Sequence, residues 1–315
     1  MCIKITRGAI VYFLLWLTLI GLGIGEDAIS SPLTVAVLYP DIREPYRSIF
    51  RTIMNGIEER LGESVKKYAL EENDNSQKIS IWLKKEQIKA AIFLGSRGLL
   101  LAKKLEAEFE IVVGSVLTAP DENNLTGISL TPDPEALFQT LKEIAPQTRR
   151  ITVIYNQEYS RWLIDRARIS AKIYDFELNE FPTQDVREAA ILYRDILSRM
   201  ESGVDSIWIP QDPSFDEKTV LPPTLKEAWD RNLLIFSSNL AYIKNGVLFA
   251  LYPDNKSMGR SLAELTLNKI HNDKNLGILP LHDLLMAVNI RTADHLGLKL
   301  TSSMRRKINL IFPPK

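Results

Sequence analysis

The chain is poor in the residues that carry most enzymatic chemistry. Cys2 is its only cysteine, and it lies ahead of the first apolar run rather than behind it. That placement excludes a lipid-attachment cysteine, and without that leader the chain has no disulfide, thiol nucleophile or thiolate metal site. Histidine occurs three times, as His271, His282 and His295. None stands at an expected strand end or in metal-ligand spacing, and His295 reads as a helix-surface or packing residue. Neither sign of charge is in excess, with 39 basic and 39 acidic residues, so no basic surplus exists to condense on phosphate; nucleic acid is not an expected partner. No Walker sequence occurs, and Gly95-Ser96-Arg97-Gly98 lacks the spacing of a nucleophile elbow. The adjacent acids Glu58-Glu59, Glu71-Glu72 and Asp121-Glu122 read as solvated faces. These absences point away from an enzyme and away from a cofactor or metal.

The one long apolar run is at the beginning. Lys4 and Arg7 precede Ala9–Ile24, and Gly23 and Gly25 supply small residues before Glu26-Asp27. This is the pattern of a secretory signal cleaved near Gly25, with an uncleaved anchor as the rival reading. Cleavage of residues 1–25 removes two basic residues and no acidic one, for a net charge of −2. The roughly 290 residues that remain exceed what one hydrophobic core usually holds, so two lobes are expected.

Strand-like apolar runs alternate with amphipathic helices through most of the chain, which predicts parallel α/β sheets. Strands are expected at Leu33–Tyr39, Ala90–Gly95, Ile111–Gly114 and Leu125–Leu130. Helices are expected at Ile42–Leu61 and Leu99–Phe109, and a further one starts at Asp133-Pro134. The pattern then begins again: strand Ile151–Tyr155, helix Ser160–Ile173, strand Tyr174–Leu178, helix Val186–Met200, strand Ser206–Ile209. Residues 233–270 are the most informative. An apolar run stops at Ser237-Ser238, a polar turn leads to a second run that ends at Tyr252-Pro253, and a helix follows from about Asp254 to Ile270. Proline holds its predecessor extended, so the chain leaves this strand as a stiff crossing.

That segment resembles the ABC-transporter substrate-binding family of tryptophan- and tyrosine-type proteins, within the type I periplasmic binding proteins. Carrying the resemblance are Lys244-Asn245-Gly246, Met258-Gly259-Arg260, Asn124-Leu125-Thr126-Gly127, Ile151–Asn156 and Ala287–Gly297. The chain departs from the family's pattern at Ser96-Arg97-Gly98 and at Leu117–Asn123. The resemblance implies two doubly wound parallel-sheet lobes joined by a hinge. Lobe one is expected at 33–131 with 253–280, and lobe two at 132–252 with 281–315. It further implies a periplasmic monomer that traps a small ligand and hands it to a membrane permease. A sensor that reports occupancy to a membrane kinase or receptor is the alternative, and an enzyme on this scaffold is a third reading.

In parallel sheets ligands bind beyond the carboxyl ends of the strands. The candidate ligand-binding residues are therefore Tyr39, Ser96, Arg97, Ser115, Tyr155, Asp212, Ser238 and Tyr252. Arg97 can grip a carboxylate and the tyrosines an apolar or cationic group, and the resemblance implies that Asp212, the acidic residue after its strand, pairs with an ammonium. Together they predict an amino acid or related zwitterion. The competing reading makes the serines and Asp212 helix caps, Arg97 a surface charge and the tyrosines partial core.

Overall fold

The computed structural model describes residues 34–62, 65–117, 125–272 and 275–314; the expected signal, residues 1–25, lies outside them. Two sheets organise the chain. The first contains β1 (Val35–Pro40), β2 (Val65–Leu70), β3 (Ala90–Leu94), β4 (Glu110–Val116), β5 (Thr126–Pro132) and β11 (Ile278–Leu281), in the order β11-β5-β4-β3-β1-β2. Every neighbouring pair in it is parallel. The second contains β6 (Arg150–Asn156), β7 (Glu177–Thr183), β8 (Asp205–Ile209), β9 (Leu234–Ser237), β10 (Phe249–Pro253), β12 (Leu284–Asn289) and β13 (Ile308–Phe312). Its order is β13-β12-β10-β9-β8-β6-β7, parallel except where β10 meets β12.

Helices cover these sheets. On the first are α1 (Tyr46–Leu61), α2 (Ser76–Lys85), α3 (Gly95–Leu105) and α8 (Asn255–Asn272); with the second go α4 (Pro134–Ile144), α5 (Gln157–Ile173), α6 (Val186–Leu197) and α7 (Leu221–Asp230). The short helices α9 (Ile290–His295) and α10 (Ser302–Lys307) complete the chain. This is the two-lobed type I periplasmic binding protein plan. Each sheet reverses its winding beside its first strand: β1 lies between β2 and β3, and β6 between β7 and β8. Such switch points leave a crevice outside the carboxyl ends of the strands.

The central strands are continuous apolar runs because both faces are covered: all five residues of β3 and of β8 are buried. In the second lobe Phe138 packs edge-on against Trp208, with centroids 5.6 Å apart. Edge strand β2 instead exposes Lys66 and Lys67, charges that discourage further strand pairing.

The chain passes between the sheets three times, from β5 to α4, from β10 to α8 and from β11 to β12. These passages lie side by side. The Asp133 N–H donates to Leu281 O at 3.0 Å, and the Asp254 N–H to Asp283 O at 2.9 Å. The buried Asp133 carboxylate accepts from Arg166 Nη2 of α5 at 2.7 Å, with His282 Nε2 at 3.4 Å. Helices α1 and α8 cross at glycines: a Cβ on Gly56 would stand 2.0 Å from Lys256 O, and one on Gly259 2.1 Å from Ile53 O. No other residue allows the two backbones to meet this closely.

Candidate functional site

Two adjoining recesses open between the sheets. The larger holds about 880 Å³, with Gly95, Ser96, Arg97 and Ser115 on the first-lobe side and Ser238 and Leu285 on the other. The smaller holds about 590 Å³; Leu117 and Thr131 face Tyr159, Trp162 and Asp212 across it. Gln211 and Asn239 line both. Each volume suits a small organic ligand. The larger recess is walled mainly by apolar side chains of α1 and the crossings, among them Ile49, Phe50, Leu130 and Tyr252.

Local folding explains how its polar groups arrive. Gly95 has a φ of +75°, and α3 begins with no side-chain cap on its N-terminus. The first-turn N–H groups of that helix are thus left for a partner, and helix N-termini favour anions. Ser115 has a φ of +57° where the β4–β5 register shifts, an irregularity that redirects its side chain. Arg97 Nη2 donates to the carbonyls of Glu72 and Asp74, bracing the turn after β2, while its Nε is buried without a partner.

Of the residues expected from the sequence, Ser96, Arg97, Ser115, Ser238 and Tyr252 come together in the larger recess. Ser238 also accepts the Trp208 indole N–H at 3.1 Å, which fixes its hydroxyl. Asp212 lines the smaller recess instead, and it is nearly buried. Its Oδ2 accepts from the Asn156 N–H at 3.0 Å and from Ser160 Oγ; its Oδ1 accepts the N–H and hydroxyl of Ser214. The carboxylate therefore ties the elbow after β6 to the elbow after β8. Arg97 and Asp212 do not face each other within one recess.

Two of the candidate tyrosines stand apart from both recesses. Tyr155 points into the second-lobe core, 4% exposed among Leu163, Ile164 and Trp208, and burial pushes its phenol pKa up. The strand's alternation places it on the same face as Ile151 and Val153, against the cluster that holds Trp208. Tyr39 is half-buried at the end of β1 and lines neither recess. The recesses are also lined by Tyr46, Glu158, Tyr159 and Trp162, which the sequence reading did not name, and by Leu117, which opens the Leu117–Asn123 departure from the family's pattern. A signal existed for three of them, since Glu158-x-x-x-Trp162 has helical spacing directly after a strand end. Tyr46, Leu117 and Tyr159 are large apolar side chains left 62%, 59% and 58% exposed, all at the cleft.

Among the described residues no cluster of His, Cys, Asp and Glu is gathered as a metal ion requires, and no helix is long and apolar enough to cross a membrane. No histidine lines either recess; His295 stacks on Trp229 with centroids 3.6 Å apart, and its Nε2 is 2.9 Å from Trp229 O.

Residues 111–306 match the family model described as ABC transporter substrate binding protein. Among solved structures, the chain is similar to the ligand-free, open form of a substrate-binding protein with adhesive properties from Clostridium difficile. The identity is 14%, the TM-score 0.63, and the match covers 90% of this chain and 100% of the other. It is also similar to an ABC domain from Streptococcus pneumonia in complex with L-Trp, at 16% identity and TM-score 0.52, covering 89% and 99%. A conserved domain protein from Vibrio cholerae matches at 16% identity and TM-score 0.52, covering 89% and 99%. No curated protein sequence matches the chain.

Proposed function

Since this chain belongs to the ABC transporter substrate-binding protein family, we propose that it traps a small amphoteric solute between its lobes and delivers it to the permease of an importer. Family and fold are those of binding proteins rather than enzymes. The observation that carries the reading is the cleft itself: a recess of about 880 Å³ lined from both lobes, apolar over most of its wall and polar at the strand ends. Closure would bury Tyr46, Leu117 and Tyr159, and that gain in apolar burial favours the closed form once a ligand fills the gap.

The ligand class follows from the two walls. On lobe one, the uncapped start of α3, Ser96, Ser115 and Arg97 suit a carboxylate. On lobe two, an acidic and aromatic wall suits an ammonium. An amino acid or related zwitterion with an apolar or aromatic body satisfies both. The L-Trp held by the streptococcal protein of the same fold is in keeping with this class. We read residues 1–25 as the export signal that brings the protein to the periplasm, and 33–131 with 253–280 and 132–252 with 281–315 as the lobes that move about the three crossings.

Native mass spectrometry of protein purified without denaturation, followed by small-angle scattering with the identified compound, tests the reading. A co-purified amphoteric molecule that makes the particle more compact is expected. An unchanged scattering profile at saturation would exclude a closing trap.

A further inference from the structure

Two carboxylates line the smaller recess, Asp212 and Glu158, and they differ in what they have left to give. A carboxylate offers about four acceptor sites. Those of Asp212 are taken by Asn156, Ser160 and the two donors of Ser214. Glu158 stands in the first turn of α5, exposed, and its backbone N–H is capped by Asn156 Oδ1 at 2.9 Å. Its side chain has no ion pair or hydrogen bond among the described residues.

We propose that Glu158, rather than Asp212, reads the positive end of the ligand, with Tyr159 and Trp162 supplying aromatic faces beside it. This rests on the solute-trapping reading above. Glu158 and Trp162 are four residues apart on α5 and so share a face. Tyr159 is 58% exposed into the same recess. No lysine, arginine or histidine lines this recess, so a cation entering it meets one open carboxylate, ring faces and no competing charge. Leu117 and Thr131 close the space from lobe one, which makes capture of that cation part of lobe closure. Asp212 then acts as a positioning residue: by accepting from Ser160 and the Asn156 N–H it holds the turn that carries Glu158 and Tyr159 at the cleft.

Calorimetric titration of wild type, Glu158→Gln and Asp212→Asn with three probes decides the matter: L-tryptophan, tryptamine and indole-3-propionate. Wild type is expected to prefer L-tryptophan to the acid that lacks the amine. Glu158→Gln should weaken both amine-bearing probes by about ten- to a hundredfold, leave indole-3-propionate unchanged and melt at the wild-type temperature. Asp212→Asn should melt lower yet keep the preference for amines. Equal weakening of all three probes by Glu158→Gln, or no weakening, would overturn the assignment. Indole-3-propionate binding wild type as tightly as L-tryptophan would overturn it while leaving the trap intact. Failure of all three to bind wild type would remove the amphoteric ligand class along with it.

Discussion

Gly56 of α1 and Gly259 of α8 face each other across a helix crossing so close that neither position has room for a methyl group. The obstacle in each case is backbone, Lys256 O and Ile53 O, which cannot swing aside as a side chain would. Because α1 lines the larger recess and α8 begins at the second crossing, this contact locks a wall of the cleft to the passage that leads out of it. Gly259→Ala is expected to lower stability by about 1–3 kcal/mol through overpacking. A thermal melt unchanged from wild type would show that the helices can separate at no cost.

Asp212 is expected to matter to folding before it matters to binding. Asp212→Ala leaves the Asn156 N–H and the Ser160 and Ser214 hydroxyls without their shared acceptor. A loss of about 2–4 kcal/mol in urea unfolding follows from hydrogen bonds to a charged group. Asn at this position retains one acceptor oxygen and should recover part of that loss.

The Asp133–Arg166 pair predicts a strong asymmetry. The Asp133 side chain is 1% exposed and meets Arg166 at 2.7 Å. Arg166 is 42% exposed, and the Glu135 N–H and His282 Nε2 still face the carboxylate without it, so Arg166→Met should cost about 1–3 kcal/mol. Asp133→Asn in the same background should restore stability, because the uncompensated charge is then gone. A double mutant no more stable than Arg166→Met would mean the pair is not coupled.

Acid should loosen the turn after β2. Burial raises the Asp74 carboxyl, but hydrogen bonds from Lys78, the Glu71 N–H and Tyr68 outweigh it and hold the pKa below the usual carboxylate value. A carboxyl depressed in the folded state contributes stability that is present above its unfolded pKa and lost as pH falls through the folded one. Melting temperature should therefore drop as pH falls below about 4, and Asp74→Asn should flatten that dependence. The same turn accepts Arg97 through the carbonyls of Glu72 and Asp74, so a ligand that needs Arg97 should bind less well over the same pH range.

Most of the parallel architecture was legible because buried strands are continuous apolar runs and their helices carry a clear stripe. Several of the elements that escaped lie at edges, although β12, which also escaped, is interior to the second sheet. In β2, Lys66 and Lys67 interrupt the apolar run because an edge strand has one covered side at most. Helix α2 buries only Ile79, Ser80 and Leu83, too thin a stripe to register. Helix α1 starts at Tyr46 rather than Ile42, directly after Pro45. The strand expected at Tyr174–Leu178 begins later, as β7, because Tyr174 caps α5 and Asp175 turns with a φ of +57°. At the site, strand ends identified Ser96, Arg97, Ser115, Ser238 and Tyr252 as neighbours. What the sequence does not display is which carboxylate is already satisfied, since the partners of Asp212 come from β6 and α5. Starting α5 at Ser160 instead of Gln157 also hid Glu158 and Tyr159, which the Asn156 cap draws into the helix.

The three passages between the sheets have a consequence for the order in which the protein can assemble. Strand β11, at residues 278–281, is the last piece of the first sheet, and β12 and β13, at residues 284–312, finish the second. Neither lobe can seal its sheet before residues 278–312 are available, so both remain incomplete until that stretch has been made. A chain shortened before Ile278 would lose an edge from each sheet at once, and the two lobes would fail together even though the cut removes only Leu285 from the walls of the larger recess.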